Sequence, residues 1–279
     1  MNKQVCVVIP VYKPLSQLDA NEQRSWHQCL RVLGHRPIYL ACPTTLDSAA
    51  YLAAAHAQGV SCQVTAFAPA AFASIDGYNR LMLSRQFYRR FAQHDYLLLY
   101  QLDAYVFEDE LNKWCALGYS YVGAPWFEGF LPASEETPLW QVGNGGFTLR
   151  RVAHCLRVLQ TFAVARSWSL VLENHAPNAA PSLVKRSYLR AKYFLLGNNT
   201  HWLLNDFHRY RASYQEDYFW GVVCQEKFDW YRVPTPQEAL AFSFEVAPSR
   251  MYVLNQQKLP MGCHAWEKHE PEFWTTFIK

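Results

Sequence analysis

Two patterns of apolar and polar residues alternate along the first part of the chain. Short apolar runs are typical of buried strands, whereas apolar residues three or four positions apart are typical of helices that face a core. Four strands are predicted at residues 4–11, 37–42, 60–67 and 96–102, and three helices at residues 17–33, 46–58 and 77–92. Strands that alternate with helices predict an α/β fold with a doubly wound, mostly parallel sheet.

The pattern changes after the fourth strand. A strand is predicted at 119–124, a loop rich in glycine, proline and acidic residues at 127–141, and a glycine turn leading into a short strand at 142–150. Helices are predicted at 108–117, 152–162, 182–196, 214–227 and 234–244. Because no repeat or linker interrupts the chain, we expect residues 1–279 to form a single domain.

Composition excludes several classes of protein. With 51% apolar residues in 279, the chain can bury a full core. The net charge of +3 and the lack of an arginine-rich run argue against nucleic acid as a partner. Eight scattered cysteines without a CxxC pair predict buried thiols in a reducing compartment and no zinc site. The apolar start is too short for a signal peptide and no run is long enough to span a membrane, so we expect a cytoplasmic protein.

One segment, residues 166–211, differs from the rest in charge. It holds seven arginines and lysines against two acidic residues and reads as a helical insertion. Such a segment can contact an anionic acceptor or, peripherally, the inner face of a membrane. The alternative is an ordinary solvated helical face.

The first candidate for chemistry is Asp103, in the run YLLLYQLDAYVF. A carboxylate at the end of a buried strand is costly unless something binds it. In open α/β sheets, ligands bind outside the carboxyl ends of the strands. Asp103 is therefore expected to bind a cation, a sugar or a phosphate, although an aspartate that only caps the following turn would look the same.

Three more polar clusters lie further along the chain. They are the glycine segment GNGG at residues 143–146, the acidic pair Glu216-Asp217, and His264 in the segment GCHAW. Each has a plain structural alternative, namely a turn, a helix start and a structural histidine. No GxGxxG or P-loop sequence is present, so a dinucleotide fingerprint is excluded.

The order of these clusters resembles the GT-A class of nucleotide-sugar-dependent glycosyltransferases. YNRLMLS, YQLDAYVF, GYSYVGAPW, VGNGGFTLR, EDYFW, FSFE and LPMGCHAWEK are similar to the hallmarks of a microbial glycosyltransferase-like family of unknown function. The resemblance implies a GT-A-like Rossmann-type domain. Residues 1–107 would form its nucleotide-binding half, and residues 108–279 its acceptor-binding half.

The resemblance also implies roles for individual residues. Asp103 and His264 would hold a Mg²⁺ or Mn²⁺ ion on the diphosphate of a nucleotide sugar. The usual DxD motif is altered, however. Either Tyr105 replaces its second acid, or the motif is Gln101-Leu102-Asp103 and the metal-binding acid survives, so the need for metal stays open. The other expected donor contacts are Pro10, Val11, Tyr12, Asp76, Tyr78, Asn79, Gln101, Asn144, Gly145, Gly146 and Trp266.

The implied activity is transfer of a sugar to a glycan or lipid-linked acceptor, as in polysaccharide biosynthesis, with inversion at the anomeric carbon. Asp217 would be the general base, with Glu216 as the second choice. Trp126, Trp220 and Trp266 are candidates for a sugar-facing platform. Two alternatives remain: a sugar nucleotidyltransferase, and a catalytically inactive module on the same fold that only binds glycans.

Overall fold

The computed structural model describes residues 5–132, 134–160, 182–195 and 215–279. Strands in these ranges are numbered along the chain. They are β1 (Val5–Pro10), β2 (Ile38–Pro43), β3 (Cys62–Phe67), β4 (Tyr96–Tyr100), β5 (Ala104–Val106), β6 (Tyr121–Val122), β7 (Pro125–Phe127), β8 (Leu139–Val142), β9 (Phe147–Arg151), β10 (Ser243–Phe244) and β11 (Gly262–His264).

The main sheet has six strands in the order β3-β2-β1-β4-β9-β6. The pairs β3–β2, β2–β1 and β1–β4 are parallel, while β9 runs antiparallel to both β4 and β6. β1, β2 and β4 are buried along their whole length, which is why they read as continuous apolar runs. The predicted α/β fold with a doubly wound, mostly parallel sheet is confirmed.

Helices connect and flank the strands. The α-helices span Ala20–Leu33, Ala49–Ala57, Ile75–Met82, Arg85–Arg89, Leu111–Ala116, Val152–Gln160, Leu183–Leu195, Glu216–Tyr218, Cys224–Lys227, Pro236–Ala239, Pro248–Leu254 and Pro271–Trp274. A π-helix spans Phe219–Val223, and 3-10 turns span Leu15–Gln17 and Pro69–Ala71. Ala20–Leu33 begins at a capping box, in which Asp19 accepts from the Glu22 backbone and Glu22 binds the Asp19 amide. This helix buries Trp26 and Leu30 in the core of the main sheet.

A second, three-stranded sheet has the order β10-β11-β5. β10 is parallel to β11, and β5 is antiparallel to it. One face packs on a separate core that includes Phe244, Met251 and Trp274. β7 and β8 form an antiparallel hairpin. None of the eight cysteines, all of which lie in the described ranges, forms a disulfide.

Several elements differ from the sequence prediction. The helix predicted at 77–92 is two helices, because Ser84 interrupts it: its Oγ donates to Leu81 O and accepts from Phe87 N. The loop predicted at 127–141 contains part of the β7–β8 hairpin. The helix predicted at 234–244 is only Pro236–Ala239, and its last residues form β10.

The chain divides into two compact units. One comprises Met1–Cys155 and Gln215–Lys279, and the other Leu156–Tyr214. Most of the basic segment 166–211 lies outside the described residues. Its described part contains the helix Leu183–Leu195, on which Leu183, Val184 and Tyr188 are exposed. All contacts described below lie within the first unit.

Candidate active site

The strand order of the main sheet reverses between β1 and β4. From β1 the chain builds outward to β2 and β3, and then returns to add β4 on the other side of β1. A crevice forms at such a switch point, outside the carboxyl ends of the two strands. Pro10 ends β1 and Asp103 follows β4, so the structure brings these two predicted regions to the same edge. Of the residues after β1, Val11 is buried, whereas Tyr12 is 61% exposed.

The turn after β4 ties three predicted residues together. The Gln101 backbone amide donates to Gly146 O at 2.8 Å, and the Gln101 side chain donates to Tyr78 Oη at 3.0 Å. Burial raises the pKa of Tyr78. This turn therefore joins the end of β4 to the glycine segment and to the helix Ile75–Met82.

Three side chains meet at one edge of the small sheet. Asp103 precedes β5, His264 ends β11, and Glu245 follows β10. Because His264 is in register with Ala104, these strand ends are level with one another. His264 Nδ1 lies 2.9 Å from Glu245 Oε1, and His264 Nε2 lies 3.1 Å from Asp103 Oδ1. The imidazole thus lies between two carboxylates.

Lys268 reaches the other oxygen of Asp103. Its Nζ lies 3.0 Å from Asp103 Oδ2, and its side chain is 68% exposed. Ala265, directly after His264, has a left-handed backbone with φ of 49°, and its carbonyl accepts from Lys268 N. The chain turns back at this point, so His264 and Lys268 reach the same carboxylate from one short loop.

Charge dominates this cluster. Burial would raise the pKa of Asp103, but His264 and Lys268 outweigh it and hold that pKa well below its usual range. Burial would lower the pKa of His264, but Asp103 and Glu245 raise it to about 10. In the absence of another cation, the ring is therefore an imidazolium at neutral pH.

The glycine segment separates this cluster from the acidic pair. A Cβ at Gly146 would lie 1.9 Å from His264 Nε2, and one at Gly145 would lie 2.8 Å from Glu216 Oε1. Only glycine allows both approaches. Asn144 is buried with φ of 70°, and its Oδ1 accepts from Gly146 N at 2.9 Å. Its Nδ2 has no hydrogen-bond partner within the described ranges.

Glu216 is held by a buried arginine. Arg150 donates to Glu216 Oε1 at 2.8 Å, with side-chain exposures of 0% and 3%. The guanidinium also donates to Tyr88 Oη and Thr148 Oγ1, both at 3.0 Å. Glu216 N donates to Asn79 Oδ1 at 3.1 Å. Burial raises the pKa of Glu216, and Arg150 opposes that rise.

Asp217 is partly exposed, and within the described ranges no arginine forms an ion pair with it. Its Oδ1 accepts from Tyr218 N at 2.8 Å, and a Cβ at Gly145 would lie 3.9 Å from its Oδ2. Burial, with the negative charges of Glu216 and Glu245, raises the pKa of Asp217 to about 7. A carboxylate with such a pKa is matched to proton transfer near neutral pH.

The remaining predicted residues lie further from this arrangement or are packed away. Asp76 is exposed and pairs with Arg80 at 3.0 Å. The three tryptophans predicted as a sugar platform are each largely buried: Trp126, Trp220 and Trp266.

The donor set fits a divalent cation. Among the described residues, no group of three or more His, Cys, Asp or Glu side chains is placed so that it could hold a metal ion by itself. Nevertheless, His264 Nε2 is buried, has no aligned hydrogen bond within the described chain, and faces Asp103 Oδ1. A carboxylate oxygen and an imidazole nitrogen that face each other can share one ion, with phosphate oxygens as further ligands.

Sequence reasoning missed three residues of this site: Glu245, Lys268 and Arg150. Three signals were present. FSFE places an acid directly after a short apolar strand, as in the Asp103 segment, and HAWEK places a lysine four residues after His264. An arginine within the apolar strand FTLRR was the signal for a buried ion pair.

Within the described ranges, no helix has both the length and the apolar composition needed to cross a membrane.

No curated protein matches the sequence.

The chain is distantly similar to several solved glycosyltransferase structures. Mouse xyloside xylosyltransferase 1 in its apo form has 10% identity and a TM-score of 0.47, over 94% of this chain and 97% of that one. The apo form of glycosyltransferase GlyE from Streptococcus pneumoniae TIGR4 has 12% identity and a TM-score of 0.46, over 99% and 60%. S. aureus TarS 1-349 has 10% identity and a TM-score of 0.33, over 54% and 47%. The chain thus spans about half of TarS 1-349 and 60% of GlyE. At these identities and TM-scores, the likeness fixes neither an activity nor a ligand.

A family model gives a more specific match. Residues 61–264 match the model described as "Protein of unknown function (DUF5672)", which extends from β3 to His264 and includes Asp103, the glycine segment and the acidic pair. The chain belongs to this family.

Proposed function

We propose that this protein transfers a sugar from a nucleotide-diphosphate donor to a hydroxyl group of a glycan or lipid-linked acceptor. One observation carries the proposal. A partly exposed carboxyl with a pKa of about 7, Asp217, lies on one side of the glycine segment, and the charged cluster of Asp103, His264 and Lys268 lies on the other. A base and an anion-binding cluster at one switch point are what this reaction requires.

The donor would bind along the carboxyl edge of the main sheet. The base and ribose would lie near Tyr12 and Tyr78, and the diphosphate near Asp103. Asp103 and His264 would hold a Mg²⁺ or Mn²⁺ ion, which would supply positive charge for the departing diphosphate. The exposed ammonium of Lys268 adds a hydrogen-bond donor at the same place.

The reaction would be a single displacement with inversion. Asp217 removes the proton from the acceptor hydroxyl, whose oxygen forms a bond to the anomeric carbon. The bond between that carbon and the diphosphate oxygen breaks, and its electron pair leaves with the diphosphate. Glu216 is less suited to the role of base because Arg150 already engages it in the interior. In this scheme residues 1–107 chiefly serve the donor and residues 108–279 the acceptor, apart from His264 and Lys268, which reach the donor's diphosphate.

The first test is binding. Thermal unfolding is measured with UDP, GDP, CDP, dTDP and CMP, each with and without Mn²⁺. A nucleotide that binds only the folded state adds about 2.7 kcal/mol of stability at a hundredfold excess over its Kd. We expect one diphosphate to raise the midpoint, and more so with the ion.

The second test is turnover with nucleotide sugars of the selected base, measured as release of nucleoside diphosphate. Asp217→Asn is expected to lower it by about 10²–10⁴-fold. Asp229→Asn, which changes an exposed aspartate further along the chain, should leave it unchanged. If no nucleotide binds but a glycan does, the protein is a binding module. If a nucleoside triphosphate and a sugar phosphate yield pyrophosphate, it is a nucleotidyltransferase. Either result refutes the proposal.

A further inference from the structure

The imidazole of His264 is held from three directions. Gly146 lies against the ring, since a Cβ there would meet Nε2 at 1.9 Å and Cδ2 at 2.1 Å. Nε2 faces Asp103 without an aligned hydrogen bond, and within the described chain it has no other partner. Nδ1 is hydrogen bonded to Glu245 Oε1 at 2.9 Å. The ring's only aligned hydrogen bond in the described chain is thus the one to Glu245.

That bond decides which ring atom faces the site. A half turn of the imidazole would exchange its nitrogens with its carbons. Carbon would then face both carboxylates, and the contact with Glu245 would be lost. A carboxylate that accepts from one ring nitrogen also fixes the proton there, which leaves the other nitrogen as the one available to a ligand.

We infer that Glu245 is a positioning residue, which turns His264 so that Nε2 faces Asp103 and is available to a divalent cation. This inference deepens the proposed function and rests on its cation site. Glu245 itself does not touch the substrate in this scheme and acts only through His264.

A purely structural role for Glu245 predicts something different. The pair would then stabilise the small sheet, and its removal would lower thermal stability without changing which atoms bind the ion. Affinity for the ion does not separate these roles, because removing Glu245 also lowers the pKa of His264, so that protons compete less with the ion for the ring. The decisive measurement is therefore the identity of the ion's ligands, read at saturating ion.

The experiment uses Mn²⁺ with inorganic pyrophosphate, so that neither the base nor the sugar of the donor needs to be known. Electron spin echo envelope modulation detects a ¹⁴N nucleus bound to Mn²⁺. We expect a nitrogen coupling in the wild-type protein and its loss in His264→Ala. Glu245→Ala should lose it as well, whereas Glu245→Gln should keep it, because the amide oxygen still accepts from Nδ1.

The chain offers a matched control. Asp109 pairs with His35 at 2.9 Å and with Arg36 at 2.6 Å, and its side chain is 15% exposed, as is that of Glu245. Asp109→Ala removes a carboxylate from a different histidine and should leave the nitrogen coupling unchanged. Thermal unfolding of all variants without Mn²⁺ separates loss of fold from loss of orientation.

Two results overturn the inference: a nitrogen coupling that persists in Glu245→Ala, and a wild-type protein with no coupling from His264. Should Glu245→Ala fail to fold, ¹⁵N NMR of the Mg²⁺-loaded wild-type protein replaces it. Nδ1 of His264 must then carry the proton, and a proton on Nε2 instead refutes the inference. If the protein turns over but shows no nitrogen coupling, this inference is refuted while the proposed function is supported. If it shows the coupling but no turnover, the cation site is supported while the proposed function is refuted.

Discussion

Replacement of Arg150 by methionine should destabilise the protein by about 3–5 kcal/mol, the usual result of leaving one member of a buried ion pair alone. The guanidinium has no solvent exposure and donates to Thr148, Tyr88 and Glu216. Methionine fills much of the same volume but replaces none of these bonds. Glu216, whose side chain is 3% exposed, would keep its charge without a partner or take up a proton.

Substitution of Glu216, the partner of Arg150, completes a double-mutant cycle. Glu216→Gln alone leaves the arginine as an unpaired buried charge and should also cost about 3–5 kcal/mol. Combining it with Arg150→Met leaves neither charge. The double variant should therefore be more stable than the sum of the two changes predicts, with a coupling of about 2 kcal/mol.

Urea unfolding provides the assay, followed by tryptophan fluorescence and by circular dichroism to check that the transitions coincide. Arg151→Met is a matched control from the same strand, since Arg151 lies over the Tyr96 ring at 6.0 Å and should contribute about 1 kcal/mol or less. The penalty in Arg150→Met should shrink at acid pH, where Glu216 is neutral. A loss below about 1 kcal/mol, or strict additivity in the double variant, would refute the assignment of a buried, charged pair.

Three further outcomes are expected. Turnover should rise with pH through about 7 and level off above it, because Asp217 must be ionised to accept a proton, and Asp217→Asn should lower the rate by about 10²–10⁴-fold; a pH–rate profile without this limb would exclude Asp217 as the base. Gly146→Ala should abolish the protection by Mn²⁺ and nucleotide in thermal unfolding, because the added Cβ would lie 1.9 Å from His264 Nε2. Gly118→Ala should lower stability slightly, because Gly118 has a left-handed φ of 76°, but it should retain that protection, because the added Cβ meets no atom within 4 Å. Binding of Mn²⁺ at pH 8 should release close to one proton, because the pKa of His264 is about 10 in the free protein. Affinity for Mn²⁺ should then increase with pH up to that value. Calorimetry in buffers of different ionisation enthalpy measures the number of protons released, and a value near zero would contradict the prediction.

Most of the main sheet was predictable from sequence because three of its four parallel strands, β1, β2 and β4, are buried along their whole length. The runs at Val5–Pro10 and Tyr96–Tyr100 are apolar throughout, and the helix Ala20–Leu33 between them buries one apolar face. The position of Asp103 followed from the same logic, since a polar residue after a buried strand lies at the edge of the sheet. By contrast, Leu139–Val142 alternates in burial within a short, mixed segment, so all of it but Val142 was predicted as loop.

The charged contacts of the site required the fold. Glu245 and Lys268 meet Asp103 and His264 only because β10, β11 and β5 form one sheet from distant parts of the chain. Nothing in the local sequence fixes that pairing. The partner of Glu216 was likewise hidden, because Arg150 lies in a different strand and its burial depends on tertiary packing.

The backbone conformation at Ala265 lowers the stability of the fold but favours binding. A left-handed conformation costs a non-glycine residue about 1–2 kcal/mol. At Ala265 it directly follows His264, and it brings the side chains of His264 and Lys268 to the same carboxylate. Glycine at this position would relax the backbone and also widen the range of directions open to Lys268. Selection for a more heat-resistant protein would therefore tend to loosen the loop, so resistance to heat and a rigid binding loop are opposing demands at this residue.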